Sequence, residues 1–176
     1  MPVYWWDPAG GPRQGLPDNT QGAVCCGGMF DVATTEADYF AAWEERFRKG
    51  VEPPLHVNMG LRLLRLSPTT VLTMQLTDDF RGLAKGSVHG GILATFADIS
   101  SAVSVWNSFD LETEIPVTTD MHVRYYRQPR SGPLKAEAEV VHRGRRLLST
   151  DCVVVDAEDR VLARSTATYM IVPLAD

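Results

Sequence analysis

The longest segment with few polar residues runs from Gly86 to about Trp106 and contains a single acid, Asp98. Its large apolar residues recur at steps of four and three, at positions Ile92, Phe96, Ile99, Val103 and Trp106. This spacing is typical of a helix that buries one face. The pattern therefore predicts a central helix from Gly91 to about Trp106, roughly 24 Å long at ~1.5 Å per residue. Since an aspartate is rarely buried without a partner, Asp98 requires a specific explanation.

Alternating apolar and polar residues predict two strands before this helix and four after it. The first two run from Met59 to Leu66 and from Leu72 to Thr77, and a phase slip at Leu63-Leu64 indicates a bulge. The later four lie at 117–126, 134–140, 148–154 and 161–172. In the first of these strands, the odd-numbered residues from Val117 to Tyr125 are predicted to share one face. The even-numbered residues, from Thr118 to Tyr126, are predicted to share the other. Short connections predict an antiparallel sheet, so we expect an α+β fold in which this sheet wraps around a long central helix.

The N-terminal third of the chain predicts two further segments. Residues 1–33 show no periodic pattern and predict an irregular arm, which either packs its aromatic residues on the domain or on a partner subunit, or forms a partly disordered tail. Residues 34–54 predict an amphipathic helix, from Thr35 to Lys49, and a linker. The aromatic stripe of this helix is more consistent with packing than with a cofactor site. The main domain then occupies residues 55–176.

The bulk composition restricts the class of protein. The 176 residues, of which 44% are hydrophobic and 22% charged, suit one globular domain with its own core. The net charge of −5 argues against general nucleic-acid binding, and no run approaches the ~18 apolar residues of a membrane span. Three cysteines form no disulfide framework, four histidines lack metal-ligand spacing, and no signal peptide is recognisable. We therefore expect a cytoplasmic protein that needs no metal or redox cofactor.

The start of the central helix combines two kinds of reactive group. Gly90 and Gly91 lie where backbone N–H groups lack acceptors within the helix and where the helix dipole is positive. Asp98 follows two turns later, on a side of the helix that carries mostly small residues. Donors that stabilise a developing oxyanion, together with a carboxylate base or nucleophile, are the components of an acyl-transfer site.

The tripeptide His89-Gly90-Gly91 is followed by Asp98, seven residues after the second glycine. This motif resembles the hotdog-fold thioesterases of the phenylacetate-degradation (PaaI-like) type. The segment 116–127 is similar to the central strand of that family, and the resemblance covers about residues 55–172. It implies the hotdog fold, which is the same antiparallel sheet around a central helix that the residue pattern predicts.

The resemblance also implies a role for each residue of the motif. Asp98 would act as general base or nucleophile on a thioester carbonyl, whose oxygen the Gly90 N–H would polarise. His89 would orient the carbonyl without serving as the base, and Thr118 would reach across from a second subunit to position the water or the carboxylate. Simpler alternatives are a carboxylate satisfied by a cap or an arginine, a tight turn at Gly90, a helix-start histidine bonded to a carbonyl, and an ordinary strand threonine.

Basic residues concentrate in the segment 124–146, whose net charge is +5 in a chain of net charge −5. They are either solvated strand ends or a surface for the phosphates of coenzyme A, because arginine side chains suit phosphate groups. The residues that we assign to this coenzyme A surface are Gly91, Arg127, Arg143, Arg145 and Arg146.

The motif and the resemblance together imply an acyl-CoA thioesterase. Coenzyme A would be part of its substrate, and its sites would lie at the subunit interface of a homodimer or homotetramer. One position departs from the family pattern, because Leu83 stands where many relatives carry an Asn or Gln that helps to hold the carbonyl or the water. This departure keeps a second interpretation open, a non-catalytic acyl-CoA-binding protein on the same fold. A hydratase of this fold is disfavoured, because it would need a His/Asp pair in another motif context.

Overall fold

The computed structural model describes residues 4–7, 11–14, 54–110, 113–129 and 132–174. The helix predicted from Thr35 to Lys49 lies outside these ranges, as does most of the predicted arm. Within the arm, two short strands, β1 (Tyr4–Asp7) and β2 (Gly11–Gln14), pair in an antiparallel hairpin. The boundaries proposed above for the arm, the amphipathic helix and the main domain remain predictions.

The main part of the chain forms a six-stranded sheet and one long helix. Its elements are, in order, α1 (Pro54–Asn58), β3 (Arg62–Arg65), β4 (Thr70–Met74), α2 (Gly90–Ser104), β5 (Glu114–Tyr125), β6 (Leu134–Arg143), β7 (Leu147–Val155) and β8 (Val161–Pro173). Short 3-10 turns occupy Asp78–Phe80 and Trp106–Ser108. The strand order is β3-β4-β6-β7-β8-β5, and every neighbouring pair is antiparallel. The predicted antiparallel sheet around a central helix is confirmed.

Helix α2 buries its apolar face against the inner surface of the sheet. Phe96, Ile99 and Val103 of the predicted stripe are buried, and burying each such side chain contributes about 1.5–3 kcal/mol. They belong to one core with side chains of β4, β6, β7 and β8, among them Leu72, Leu134, Ala136, Val154 and Leu162. Within the described ranges, no helix combines the length and the apolar composition that a membrane crossing requires.

The short helix α1 lies at the boundary between the predicted linker, which ends at Pro54, and the predicted main domain, where the sequence pattern predicts no helix before the first strand. Pro54 is the first residue of α1. A proline fits the first turn of a helix, because the N–H that it lacks would have no partner there. A proline in a sequence can therefore mark the first turn of a helix as well as the end of one.

The bulge predicted in the first strand of the sheet is confirmed. Leu63 pairs with Leu72 and Arg65 pairs with Val71, so Leu64 is the extra residue. The bulge is visible in the sequence because two adjacent leucines occupy positions where strict alternation allows only one apolar residue.

Strand β5 also contains a bulge, which the sequence pattern did not predict. The residues that flank Thr119 pair with consecutive residues of β8, and the Thr119 hydroxyl donates to the Thr168 carbonyl at 3.0 Å. The strict alternation predicted for 117–126 is therefore wrong at this point. Thr118 lies on the helix-facing side of the strand together with Met121, because two residues of a bulged strand oppose a single residue of its neighbour.

Candidate functional site

The side chain of Asp98 projects from the middle of α2 toward β5 and β8. Its Oδ1 atom accepts a hydrogen bond from the Thr118 hydroxyl at 3.0 Å and another from the Tyr169 hydroxyl at 2.8 Å. Thr118 and Tyr169 are opposite each other on neighbouring strands, so the sheet places their hydroxyls side by side. The Oδ2 atom receives no hydrogen bond or ion pair from the part of the chain that the structure describes. The two oxygens of this half-buried carboxylate are therefore chemically distinct.

Thr118 reaches Asp98 within the same chain. The prediction that a second subunit supplies this threonine is therefore wrong. The bulge at Thr119 is the physical reason, because it turns Thr118 toward the helix of its own chain. The simpler alternative for Asp98, a carboxylate satisfied by a cap or an arginine, does not describe the observed contacts either, since both donors are hydroxyl groups on one oxygen.

Tyr169, the second donor to Asp98, was not identified from the sequence. Its side chain is fully buried, and its hydroxyl lies 2.8 Å from both Oδ1 and the backbone carbonyl oxygen of Asp98. Burial, followed by the negative charge of Asp98, raises the pKa of this phenol far above its ordinary value, so the hydroxyl keeps its proton. A signal was available: Tyr169 stands among small and apolar residues on the inward face of β8, and a buried tyrosine hydroxyl usually has a partner.

The ring of His89 caps the beginning of α2. Its Nδ1 atom accepts a hydrogen bond from the Gly91 N–H at 3.0 Å. In the neutral ring, Nδ1 is thus the acceptor and Nε2 carries the proton, on an exposed residue. The expected helix-start alternative is right about the place of His89 but wrong about its partner, which is an N–H and not a carbonyl. The Gly91 N–H is consequently engaged and not available to coenzyme A.

The Gly90 N–H is the free donor of this turn. The neighbouring N–H groups all donate at 2.8 to 3.0 Å: Val88 to the Gln128 side chain, His89 to the Phe80 carbonyl, Gly91 to the His89 ring and Ile92 to the His89 carbonyl. Across the described ranges, no acceptor lies on the Gly90 N–H. A Cβ added at Gly90 would lie 3.7 Å from the Tyr125 ring, an ordinary contact, so packing within the chain does not require glycine here. One backbone donor thus stands open at the positive end of the helix.

Gly90 and Asp98 lie at different heights on the same helix. The step of eight residues between them corresponds to about 12 Å along the axis at ~1.5 Å per residue. A carbonyl that accepts one hydrogen bond and is attacked by a carboxylate-bound water spans roughly 9 Å from donor to carboxylate, and less if the carboxylate attacks directly. The axial step between the backbones of Gly90 and Asp98 in one chain is therefore about 3 Å longer than this span.

The loop before α2 contains the position at which many relatives carry an Asn or Gln and this chain carries Leu83. Leu83 lies on this loop with its side chain fully exposed. An amide reaches the same region from elsewhere, because Gln128 Oε1 accepts the Val88 N–H at 2.8 Å. Sequence reasoning missed Gln128 because it follows β5, forty residues after Val88. Its amide holds the chain immediately before His89.

The basic segment 124–146 does not form one surface within a single chain. The residue after Arg127 binds the Val88 N–H, so Arg127 lies near the N-terminal end of α2. Arg143 donates to the Ser108 carbonyl at 3.1 Å, beyond the C-terminal end of α2. The 15 residues of α2 separate these two ends by roughly 22 Å. Arg127 thus lies apart from a group of three arginines in and beside the turn between β6 and β7, which consists of Arg143, Arg145 and Arg146.

The described ranges contain neither a reactive thiol nor a cluster of metal-binding side chains. Burial raises the pKa of the Cys152 thiol from 9.0 to about 12, which makes it a poor nucleophile. No group of three His, Cys, Asp or Glu side chains there is arranged to hold a metal ion.

The chain is similar to known proteins in part of its sequence and in its fold. The family model described as thioesterase superfamily matches residues 85–163. A Deinococcus radiodurans protein named as an esterase is 23% identical over 126 residues, which cover 72% of this chain and 79% of that protein. The phenylacetic acid degradation protein PaaI of Thermus thermophilus is 27% identical, with a TM-score of 0.60 over 67% of this chain and 98% of that one. A thioesterase of Haemophilus influenzae, at 18% identity and a TM-score of 0.66 over 75% and 92%, is similar in fold.

Proposed function

We propose that this chain, whose fold and sequence are similar to those of the thioesterase superfamily, is a thioester hydrolase. Its proposed substrates are acyl-CoA thioesters, on which Asp98 and the Gly90 N–H act. One observation carries the proposal. The N–H groups on both sides of Gly90 and the Oδ1 atom of Asp98 are hydrogen-bonded, whereas the Gly90 N–H and the Asp98 Oδ2 atom have no partner among the described residues. A free backbone donor and a free carboxylate oxygen are what thioester hydrolysis needs.

In the proposed reaction, the thioester carbonyl oxygen accepts the Gly90 N–H at the positive end of the α2 dipole. Asp98 Oδ2 removes a proton from water as the water oxygen attacks the carbonyl carbon, or attacks that carbon itself. The N–H stabilises the negative charge that develops on the carbonyl oxygen. The tetrahedral intermediate then expels the thiolate of coenzyme A, which takes up a proton to give the free thiol. If Asp98 attacks directly, the acyl group is left on its carboxylate as a mixed anhydride, which water hydrolyses to the free acid and the regenerated carboxylate. His89 Nε2 orients the carbonyl, and Thr118 holds the other oxygen of Asp98.

A homodimer, alone or paired into a tetramer, is the active form in this proposal. The separation of about 12 Å between Gly90 and Asp98 along one helix supports a site built from Gly90 of one subunit and Asp98 of its partner. Strand β5 supports it further, because it lies at the edge of the sheet with 12 residues and exposes Ile115 and Val117. A long edge strand with apolar side chains presents unpaired N–H and C=O groups to a second chain.

Release of free thiol from a panel of acyl-CoA substrates, with short, long and aromatic acyl groups, tests the proposal. We expect turnover of at least one substrate. Asp98→Asn keeps the size of the side chain but removes its charge, and should reduce kcat by roughly 10²–10⁴-fold while the thermal unfolding curve is unchanged. Asp120→Asn, at an exposed position of β5, is the matched control and should retain activity.

Two outcomes would contradict the proposal in different ways. Near-native turnover by folded Asp98→Asn would remove Asp98 from the mechanism. Binding of acyl-CoA without turnover by the wild-type protein would favour the second candidate, an acyl-CoA-binding protein, for which the exposed Leu83 is the supporting observation.

A further inference from the structure

We propose that Tyr169 is a positioning residue: with Thr118 it fixes the Asp98 carboxylate so that Oδ2 alone faces the substrate. The inference rests on the proposed function, in which Asp98 provides the reactive oxygen. It adds a residue that lies outside the sequence motif, 71 positions after Asp98.

An aspartate carboxylate has two equivalent oxygens and a soft terminal torsion, so it changes orientation unless it is held. Here two donors hold the same oxygen, since Oδ1 accepts Thr118 Oγ1 at 3.0 Å and the Tyr169 hydroxyl at 2.8 Å. The donors come from two neighbouring strands, and together they define both the place and the plane of the group. Such control matters because a misplacement of ~1 Å at a reacting group can cost roughly 100-fold in rate.

The Tyr169 hydroxyl is itself fixed by packing. Its ring lies in a buried cluster with the side chains of Val105, Leu148, Ala167 and Ile171. Because the ring cannot move without disturbing this cluster, the position of the hydroxyl does not depend on the substrate. Burial also raises the pKa of the phenol, so the hydroxyl keeps its proton and remains a donor throughout the reaction.

The contacts exceed what a buried tyrosine needs for its own stability. One acceptor satisfies a phenol hydroxyl, and the backbone carbonyl of Asp98 already lies 2.8 Å away. The additional contact is made to a carboxylate, and to the oxygen that Thr118 also binds. This coincidence on a single oxygen is what distinguishes a positioning role from ordinary core packing.

Removal of the two hydroxyls, singly and together, tests the inference. Tyr169→Phe keeps the ring in the core, and Thr118→Val keeps the shape of the threonine. With an acyl-CoA substrate, we expect each single variant to reduce kcat roughly tenfold while KM changes less than about twofold, since one donor still holds Oδ1. The double variant should lose more than the product of the single effects, because no donor then holds the carboxylate.

Two matched variants control for the loss of a hydroxyl elsewhere. Tyr126→Phe removes an exposed phenol, and Thr150→Val removes a buried hydroxyl that donates to the Ala167 carbonyl. Both should retain the wild-type kcat, even if Thr150→Val lowers the melting temperature. A purely structural tyrosine would behave like Thr150. If Tyr169→Phe changes the melting temperature but not kcat, the inference is overturned.

Failure of the proposed function can be told apart from failure of this inference. If the wild-type protein hydrolyses no acyl-CoA, the function fails, and the inference is decided by crystal structures of the wild-type protein and of the double variant. One orientation of the Asp98 carboxylate in the wild type and two in the double variant support positioning. The same single orientation in both structures would overturn it.

Discussion

At the scale of single residues, the turn at His89 shows how neighbouring groups leave one donor open. The His89 ring accepts the Gly91 N–H, and the Phe80 carbonyl and the Gln128 side chain accept the N–H groups on the other side of Gly90. From the sequence it was predictable that a helix beginning here would have unpaired N–H groups. Which of them stays free was not predictable, because two of the partners are set by the path of the chain outside the motif.

Gly90→Pro tests the oxyanion role of that donor. The variant removes the N–H, and a helix accepts proline at its first position. The preceding residue, His89, already has the extended backbone that a following proline requires, with φ −63° and ψ 130°. We expect kcat for acyl-CoA to fall by roughly 10²–10³-fold, with the circular dichroism spectrum unchanged.

Gly90→Ala is the matched control for this variant. It keeps the N–H, and its Cβ would lie 3.7 Å from the Tyr125 ring, so most of the activity should remain. Similar losses in the proline and alanine variants would show that bulk at this position matters, and not the donor.

At the scale of elements, helices and strands with a regular apolar period could be predicted from the sequence. Bulges in the strands could be predicted only where they changed the apolar pattern. Helix α2 was predictable because its apolar residues recur at helical spacing, although it ends at Ser104 and not at Trp106. The bulge at Leu64 was predictable because two leucines are adjacent. The bulge at Thr119 was not, because threonine suits either face of a strand and the alternation runs through it without a visible slip. The contact of Thr118 with Asp98 depends on the register that this bulge sets.

The turn between β6 and β7 carries a prediction for the coenzyme. If it binds the nucleotide phosphates, replacing Arg143, Arg145 and Arg146 together by glutamine should mainly raise KM for acyl-CoA. The phosphates are far from the carbonyl, so these contacts act alike on ground and transition states, and kcat should change less. Steady-state kinetics at two salt concentrations checks this, since exposed charges are screened over ~8–10 Å at moderate ionic strength.

Two controls make this prediction specific. Hydrolysis of an N-acetylcysteamine thioester, which lacks the nucleotide, should be unaffected by the triple substitution. Arg127→Gln, at the opposite end of α2, reports whether that residue belongs to the same surface. An equal loss on both substrates would mean that the triple variant damages the fold or the acyl site.

At the scale of the whole molecule, the strand order rearranges what the sequence places side by side. Strands β5 and β6 follow each other in the chain but are separated in the sheet by β7 and β8. The same order puts β5, which resembles a central strand of the family, at the edge of the sheet in a single chain. The basic segment divides into two groups for a different reason, because the 10 residues of β6 run between them. A second chain placed along β5 would make it central.

Mixing two inactive variants tests whether the site is shared between subunits. Gly90→Pro retains a working Asp98, and Asp98→Asn retains a working Gly90 N–H. In a two-fold dimer, a mixed pair contains one intact site of two, so unfolding and refolding an equal mixture should restore about a quarter of the wild-type activity. Thiol release after co-refolding measures this, with each variant refolded alone as the control. Persistent inactivity of the mixture, despite subunit exchange, would place both groups of a site in one chain.

The extra residue at Thr119 has a consequence for how this strand tolerates changes in length. Its neighbours pair with consecutive residues of β8, so loss of the Thr119 codon would join them into a regular ladder without exchanging the inward and outward faces. Loss of a codon elsewhere in the middle of β5 would instead turn every side chain beyond it to the opposite face. A homologous gene one codon shorter at this point would therefore still present a threonine to the helix. An alignment that closes the gap at any other position would pair the wrong residue with Thr118.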